Sequence, residues 1–400
     1  MLRSSIRIPA LYMFLGMASM SVIMFMMQEF STSTTPCRFH YGKVSDPKQS
    51  HLLVLSTWRS GSSLFGQIFS QHPDVFYLIE PCWHTWKCLR GVGATGMQPA
   101  CRDMLRSIYQ CDTSIYNYYE QSPPPKTGRT MSSIFMYGVS RALCSPPACN
   151  AFAAGTITEE NVCRAKCSKR PFEAASLACE ASKHIVFKEV RFMDLEPLKP
   201  LLTDPNIDLR IIHLVRDPRA IAFSRIKSAS NFKRDNGIVM NMSGTNIIDD
   251  KQKVLGVICK SIERMRSVAR EDNMPSWLQG HYMLVRYEDF VKNVESTLTR
   301  MFNFARIPEN VNVSHWIMKN THGKRVAGGA FGVVLKDATA ISQKWRKYLP
   351  FNSVLNIQNV CGGMMKAYGY RFIVKKEQLM NMEFDVVDNL PENVNSHTQP

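Results

Sequence analysis

Five short, unbroken apolar runs limit what this chain can fold into. They are LLVLS (52–56), VFYLI (75–79), HIVFKEV (184–190), LRIIHLV (209–215) and YMLVRY (282–287). Each is long enough for one strand. Between them lie helical patterns such as LFGQIFSQ, ICKSIERMRSVARE and STLTRMFNFARI. Continuous apolar strands separated by helices predict an α/β fold: a parallel sheet with helices on both faces. At 400 residues and 45% hydrophobic content the chain can bury such a core in one large domain or two smaller ones. Charged residues at 20% argue against a mostly disordered chain.

The N-terminus carries a different apolar run. Residues 8–27, IPALYMFLGMASMSVIMFMM, hold no charge and match the length needed to cross a bilayer as a helix. Arg3 and Arg7 precede it, so positive-inside placement leaves residues 1–7 in the cytosol and sends the rest to the lumen. A cleaved signal peptide would have a shorter apolar core and a small-residue cleavage site, whereas Gln28, Glu29 and Phe30 follow here. An uncleaved signal-anchor is therefore expected, with 28–50 as a polar lumenal stem and a catalytic domain over 51–376. Residues 98–182 are rich in Cys, Pro and Ser and read as a disulfide-tied insertion contributing to the acceptor pocket. The acidic, turn-rich tail over 377–400 reads as loosely ordered.

Twelve cysteines behind an anchor fit an oxidising lumen better than a metal site. Cys144 and Cys149 bracket a Pro-Pro turn, and Cys163 and Cys167 lie four apart; spacing does not give the pairing. Cys37, just past the apolar run, is either idle or a candidate for an interchain bond, and hence for a homodimer. Asn241-Met-Ser and Asn312-Val-Ser are acceptor sequons for lumenal glycosylation. The formal net charge of +16 calls for an anionic partner, and nucleic acid, acidic membrane, nucleotide or polyanionic glycan would each satisfy it.

The strongest chemical signal is the first strand running into Thr57-Trp58-Arg59-Ser60-Gly61-Ser62-Ser63, with an amphipathic segment starting at Leu64. A small-residue loop between strand and helix turns backbone N–H groups toward one point, where the helix dipole adds positive charge. Serine hydroxyls and the Arg59 guanidinium complete a phosphate cradle. No Gly-Lys-Ser/Thr ending is present, so this is not a Walker A loop, and a Mg2+-dependent kinase is disfavoured. A second signal, LRIIHLVRDPRAIAFSR (209–225), puts Arg216 at the end of another strand and Ser224 in the following helix. Both are placed to reach a second phosphate of the same ligand, since α/β sites gather at strand C-termini. Asp217 reads as a helix cap and Arg219 as a surface charge.

These segments resemble two motifs of sulfotransferases. STWRSGSSL is similar to their 5'-phosphosulfate-binding motif, and LVRDPRAIAFSR to their 3'-phosphate-binding motif. The resemblance extends through QHPDVFYLIEPCWHTW, SRALCSPPAC, HIVFKEVRF, DNGIVM, LVRYEDF, SQKWRKYLPF and YGYR. Over about residues 50–372 the chain is similar to the Golgi galactose, N-acetylglucosamine and N-acetylgalactosamine 6-O-sulfotransferase family, most of all to its intestinal and corneal N-acetylglucosamine enzymes. The resemblance implies a P-loop-like sulfotransferase fold that uses 3'-phosphoadenosine-5'-phosphosulfate (PAPS) without a metal. It implies a glycan acceptor bearing N-acetylglucosamine, and a single-pass place in the Golgi membrane with the catalytic domain lumenal; nucleic acid is not an expected partner. On the matched motifs, Trp58, Arg59, Ser60, Gly61, Ser62, Ser63 and Leu64 would bind PAPS from one side. Arg216, Asp217, Pro218, Arg219, Ala220, Ile221, Ala222, Phe223 and Ser224 would bind it from the other.

Sulfuryl transfer needs cations on the developing charge and a base for the acceptor hydroxyl. Arg59 is the first candidate cation and Lys188 the second, the latter equally open to a plain ion pair. Glu80, where Pro81 ends its strand, is the candidate base, and the alternative for it is a structural salt bridge. His84 is the rival base; His322 is a weaker candidate, and His213 reads as a satisfied core residue. Trp83, Trp86 and Trp345 are candidates for stacking or core packing, and Arg191, Tyr287 and Arg346 for shaping the pocket. A lumenal lectin would explain the basic charge but leaves two phosphate-type sites without a purpose.

Overall fold

The computed structural model describes residues 49–120, 128–241, 250–321 and 338–390. The apolar run 8–27, stem residues 28–48, Cys37, His322 and tail residues 391–400 lie outside these residues, while Ser50, expected to end the stem, opens the first strand. Among the described residues no helix is long and apolar enough to cross a membrane.

Five strands form one sheet in the order β2-β3-β1-β4-β5, and every neighbouring pair is parallel. In chain order, β1 (Ser50–Leu55) leads into α1 (Ser62–Ser70), and β2 (Val75–Ile79) into α2 (Trp83–Cys88) and α3 (Gln98–Tyr109). After α4 (Glu160–Cys167) come β3 (His184–Glu189), β4 (Asp208–Val215), α5 (Pro218–Ile226), α6 (Lys233–Val239) and α7 (Lys251–Val268). β5 (Tyr282–Arg286) is followed by α8 (Val294–Ala305), α9 (Ala338–Tyr348), α10 (Phe351–Val360) and α11 (Lys376–Met380). The strands fall where the apolar runs placed them.

Unbroken apolar sequence is required because both sheet faces are covered. On one face Leu52 and Val54 of β1 join Val186, Ile212 and Leu214 under Leu64, Phe65, Ile68 and Phe69 of α1 and Met301 and Phe302 of α8. On the other, Leu53, Leu55, Phe76, Ile185 and Phe187 pack against Met104, Leu105 and Ile108 of α3. Full burial of each such side chain contributes about 1.5–3 kcal/mol. Residues 98–182 thus supply a covering layer of the sheet. A third cluster gathers α5, α7, α9, α10 and the C-terminal segment.

Four disulfides staple these layers. Cys144–Cys163 and Cys149–Cys167 join the Pro-Pro turn to α4, whose two cysteines lie one turn apart on one face. Cys111–Cys179 ties the end of α3 to the approach to β3, and Cys259–Cys361 ties α7 to the end of α10. The expected loose tail is docked through Leu390. Leu379, Val386 and Val387 are buried, Tyr370 bridges Val387, and Arg371 and Lys292 pair with Asp388 and Asp385. Arg346 holds this segment. Fully buried, it donates to the carbonyls of Gln378, Leu379, Asn381 and Phe384, and so clamps the tail where it was expected to shape a pocket.

Candidate active site

The loops after all five strands end on one edge of the sheet, where parallel α/β proteins place their ligands. β1 and β4 are neighbours, so their loops meet directly. Ser56 Oγ donates to the Leu214 carbonyl at 3.0 Å, and the Thr57 and Ser60 hydroxyls lie 3.0 Å apart. Gly61 caps α1 at φ 92° in the left-handed region. A Cβ there would come within 2.6 Å of the Tyr287 ring, so the position requires glycine for both its conformation and its close approach.

The two predicted anion motifs come together. Arg59 Nε donates to Ser224 Oγ at 2.8 Å, and Arg216 Nη1 to the Arg59 carbonyl at 3.1 Å. Arg216 Nη2 reaches the Ile341 carbonyl at 3.3 Å, and its guanidinium lies 4.5 Å over the Tyr287 ring. None of the ion pairs among the described residues includes Arg216, and its buried Nε has no hydrogen-bond partner among them. Burial, and then the charge of Arg216, hold Arg59 below the usual guanidinium range. The Arg216 guanidinium, held by carbonyl acceptors and an aromatic face beside the Arg59–Ser224 contact, suits an anionic ligand.

The rest of each motif divides between cradle and core. Ser60 and Ser62 are buried, while Arg59, Gly61 and Ser63 are partly open. Trp58 packs 5.8 Å from Trp86, and Leu64 belongs to the core under the sheet. Pro218 opens α5, and Asp217 caps it by accepting from the Arg219 N–H at 2.8 Å, as expected. Arg219 is not a surface charge. It is fully buried, paired with Asp217 at 2.8 Å, bonded to Gln358 and the Arg371 carbonyl, and stacked 4.4 Å from Trp345. Its side chain serves the interior, as do those of Ala220, Ile221 and Ala222. Phe223, half-buried, stacks on Tyr348.

One strand over, Ile79 of β2 pairs with Lys188 of β3. Glu80 follows at φ 51°, which turns the chain out of the sheet. Lys188 Nζ donates to Glu80 Oε1 at 2.5 Å, and Arg191 Nη1 to Oε2 at 2.7 Å. Burial pushes the Glu80 carboxyl up, but Lys188 and Arg191 together outweigh it and hold it at about 2. Arg191 also contacts Glu189 at 3.2 Å and Asp235 at 3.8 Å. Trp83, half-buried, lies between Arg191 and the exposed Arg234, each guanidinium within 5.4 Å of its ring.

His84 is committed elsewhere: Nδ1 faces Glu120 at 2.6 Å and Nε2 the Ile134 carbonyl at 2.8 Å. His213 is the core residue expected, bonded to the Tyr282 hydroxyl at 2.7 Å and pushed down by burial to about 3. Two site-supporting acids escaped the sequence reading. Glu288 accepts from the Asp217 N–H at 3.1 Å and from the Tyr370 hydroxyl at 2.9 Å, and burial beside Asp217 raises it to about 7. Asp235 backs Arg191 from α6. The acidic pair after YMLVRY, at a strand's C-terminal end, was the signal available for Glu288. Asn241 and Asn312 are both exposed.

A family model for the sulfotransferase domain matches residues 49–369. Carbohydrate sulfotransferase 5 of Mus musculus is 42% identical over 349 residues, covering 86% of each chain. Carbohydrate sulfotransferase 6 of Homo sapiens is 41% identical over 351 residues, covering 87% of each. The chain belongs to the carbohydrate sulfotransferase family. Among solved structures, the sulfotransferase domain from the curacin biosynthetic pathway covers 78% of this chain and 96% of its own at 14% identity and TM-score 0.41. That likeness is too distant to bear on the site. In this carbohydrate sulfotransferase the loop after β1 and the segment opening α5 both fall inside the matched region, as do Glu80 and Lys188.

Proposed function

We propose that this carbohydrate sulfotransferase moves the sulfuryl group of PAPS to the 6-hydroxyl of N-acetylglucosamine in glycoprotein or keratan-sulfate-type glycans. It would act in the Golgi lumen, held to the membrane by residues 8–27 as a single-pass type II anchor. The contact between Arg59 and Ser224 carries the nucleotide reading: it brings two sequence segments, 165 residues apart, to one edge of the sheet. Arg216, Ser224 and the serines of the 57–63 loop are the candidates for holding its two phosphate groups, with α5 and Phe223 beside them. When bound, PAPS supplies an activated sulfuryl group and a phosphate leaving group.

The protein's own contribution would be to orient and to move a proton. Arg59 stands where a cation can face the leaving group, and Lys188 is the second such cation. Glu80 is the proposed base for the acceptor hydroxyl. A carboxylate held at about 2 is a weak base near neutrality. Any anion that draws Lys188 Nζ away from Oε1 removes one of the two cations depressing it, so base strength would rise with site occupancy. The N-acetylglucosamine choice rests on overall resemblance, and sulfation of galactose or N-acetylgalactosamine is the alternative.

The test is incubation of the full chain with radiolabelled PAPS and a panel of glycans ending in each of the three sugars, with EDTA present. Label should appear on the 6-oxygen of N-acetylglucosamine. Transfer only to galactose or N-acetylgalactosamine would reassign the acceptor. Binding of glycan without transfer, or transfer abolished by EDTA, would overturn the mechanism.

A further inference from the structure

Eight of the eleven cysteines among the described residues are paired, so this chain matures where thiols are oxidised. Cys82, Cys88 and Cys101 stand outside these four disulfides. Two of these are not bystanders. Cys82 and Cys101 are both 0% exposed and belong to one core cluster. Cys82 Sγ donates to the Cys101 carbonyl at 3.5 Å, which sets the two residues side by side. Burial first, and then the neighbouring Cys101, push the Cys82 thiol well above its usual range.

We infer that Cys82 and Cys101 form a fifth disulfide in the mature protein, joining the turn after Glu80 to helix α3. Its formation takes one hydrogen from each thiol as the S–S bond is made. An external disulfide of the glutathione or dithiol-oxidase class accepts the two electrons and two protons and leaves as two thiols. The route is thiolate attack, a mixed disulfide, and resolution by the second cysteine. Both sulfurs are inaccessible once α3 covers the sheet, so the exchange takes place during folding. For the same reason the finished bond resists soluble reductant.

The bond lies in a mechanically sensitive place. Cys82 N–H donates to Glu189 Oε2 at 2.9 Å. Glu189 Oε1 in turn accepts from Arg191, which also holds Glu80 Oε2. A covalent tie at Cys82 therefore fixes the turn from which the Glu80 carboxylate and its two cations are hung. The inference depends on neither the nucleotide nor the acceptor proposed above.

The test uses the full-length chain, expressed through the secretory pathway and extracted in detergent. It is denatured in N-ethylmaleimide without reductant, digested and examined by mass spectrometry. The peptides carrying Cys82 and Cys101 should appear as one linked species, lighter than their sum by two hydrogens, while Cys88 carries the label. In C101A, Cys82 should become labelled and the four other linked peptides should persist. Labelling of both Cys82 and Cys101 in most wild-type molecules overturns the inference, as does a Cys82 that stays unlabelled in C101A.

Discussion

The two halves of the sheet's ligand edge handle positive charge in opposite ways. At β1 and β4, Arg216 is held by two carbonyls and an aromatic face, beside the contact of Arg59 with the Ser224 hydroxyl. At β2 and β3, Lys188 and Arg191 are locked to Glu80, Glu189 and Asp235. Neutral acceptors fix the Arg216 guanidinium in place without cancelling its field, so an anion arriving there displaces no carboxylate of the described residues. A closed network of acids and bases instead holds its geometry and its protons until something competes for one member. The first arrangement suits binding, and the second suits a proton acceptor kept in reserve.

Breaking the second half should have the largest effect. Glu80→Gln is expected to lower kcat by about 10²–10⁴-fold, the usual range for losing a general base. Affinity for the desulfated nucleotide, measured by calorimetry, should stay nearly unchanged. Normal turnover would eliminate Glu80 as the base and leave it as the anchor of Lys188 and Arg191. Breaking the first half comes next. Arg216→Ala and Arg59→Ala should each raise the Kd for PAPS by about 10- to 100-fold, as expected for one charge-assisted contact to phosphate. An unchanged Kd in either variant would remove that residue from the nucleotide site.

Gly61→Ala sharpens the contrast by testing the loop backbone alone. It should cost about 1–3 kcal/mol in denaturant unfolding, since it adds left-handed strain and a clash with Tyr287. Gly128→Ala, also at positive φ but with open space around it, should cost less. Equal losses would show that Tyr287 does not press on the loop. The effect at Glu288 is confined to a pH window. Its folded carboxyl sits at about 7, above its unfolded value, so the folded chain binds the extra proton. That contribution is full below about pH 4.3 and is lost as pH rises through 7, at no more than about 1.4 kcal/mol per pH unit. Glu288→Gln should flatten the stability profile over that window relative to wild type, and parallel profiles would refute the shift.

Much of the fold was legible because burial on both faces writes itself into sequence as unbroken Leu, Ile, Val and Phe. The meeting of the 57–63 loop with Arg216 was legible for a related reason: both lie just past buried strands, where a parallel sheet gathers its loops. Arg219 was misplaced because one Arg codon looks alike on a surface and in a core. Only the packing of α9 and α10 beneath α5 shows that Trp345 and Gln358 receive it. Arg346 and the tail failed similarly, since acidic, turn-rich sequence does not announce that four of its carbonyls will be claimed by one buried guanidinium.

Sequence alone determined the strands and marked the two segments proposed to bind the anion, because each depends on neighbours within a few positions along the chain. Tertiary structure alone decided that Arg59 meets Ser224, that Lys188 and Arg191 share Glu80, and that Cys82 touches Cys101. Those partners lie between 19 and 165 residues apart. Which pairs form depends on strand order and helix packing, and these are set by how the whole core closes, not by any local pattern.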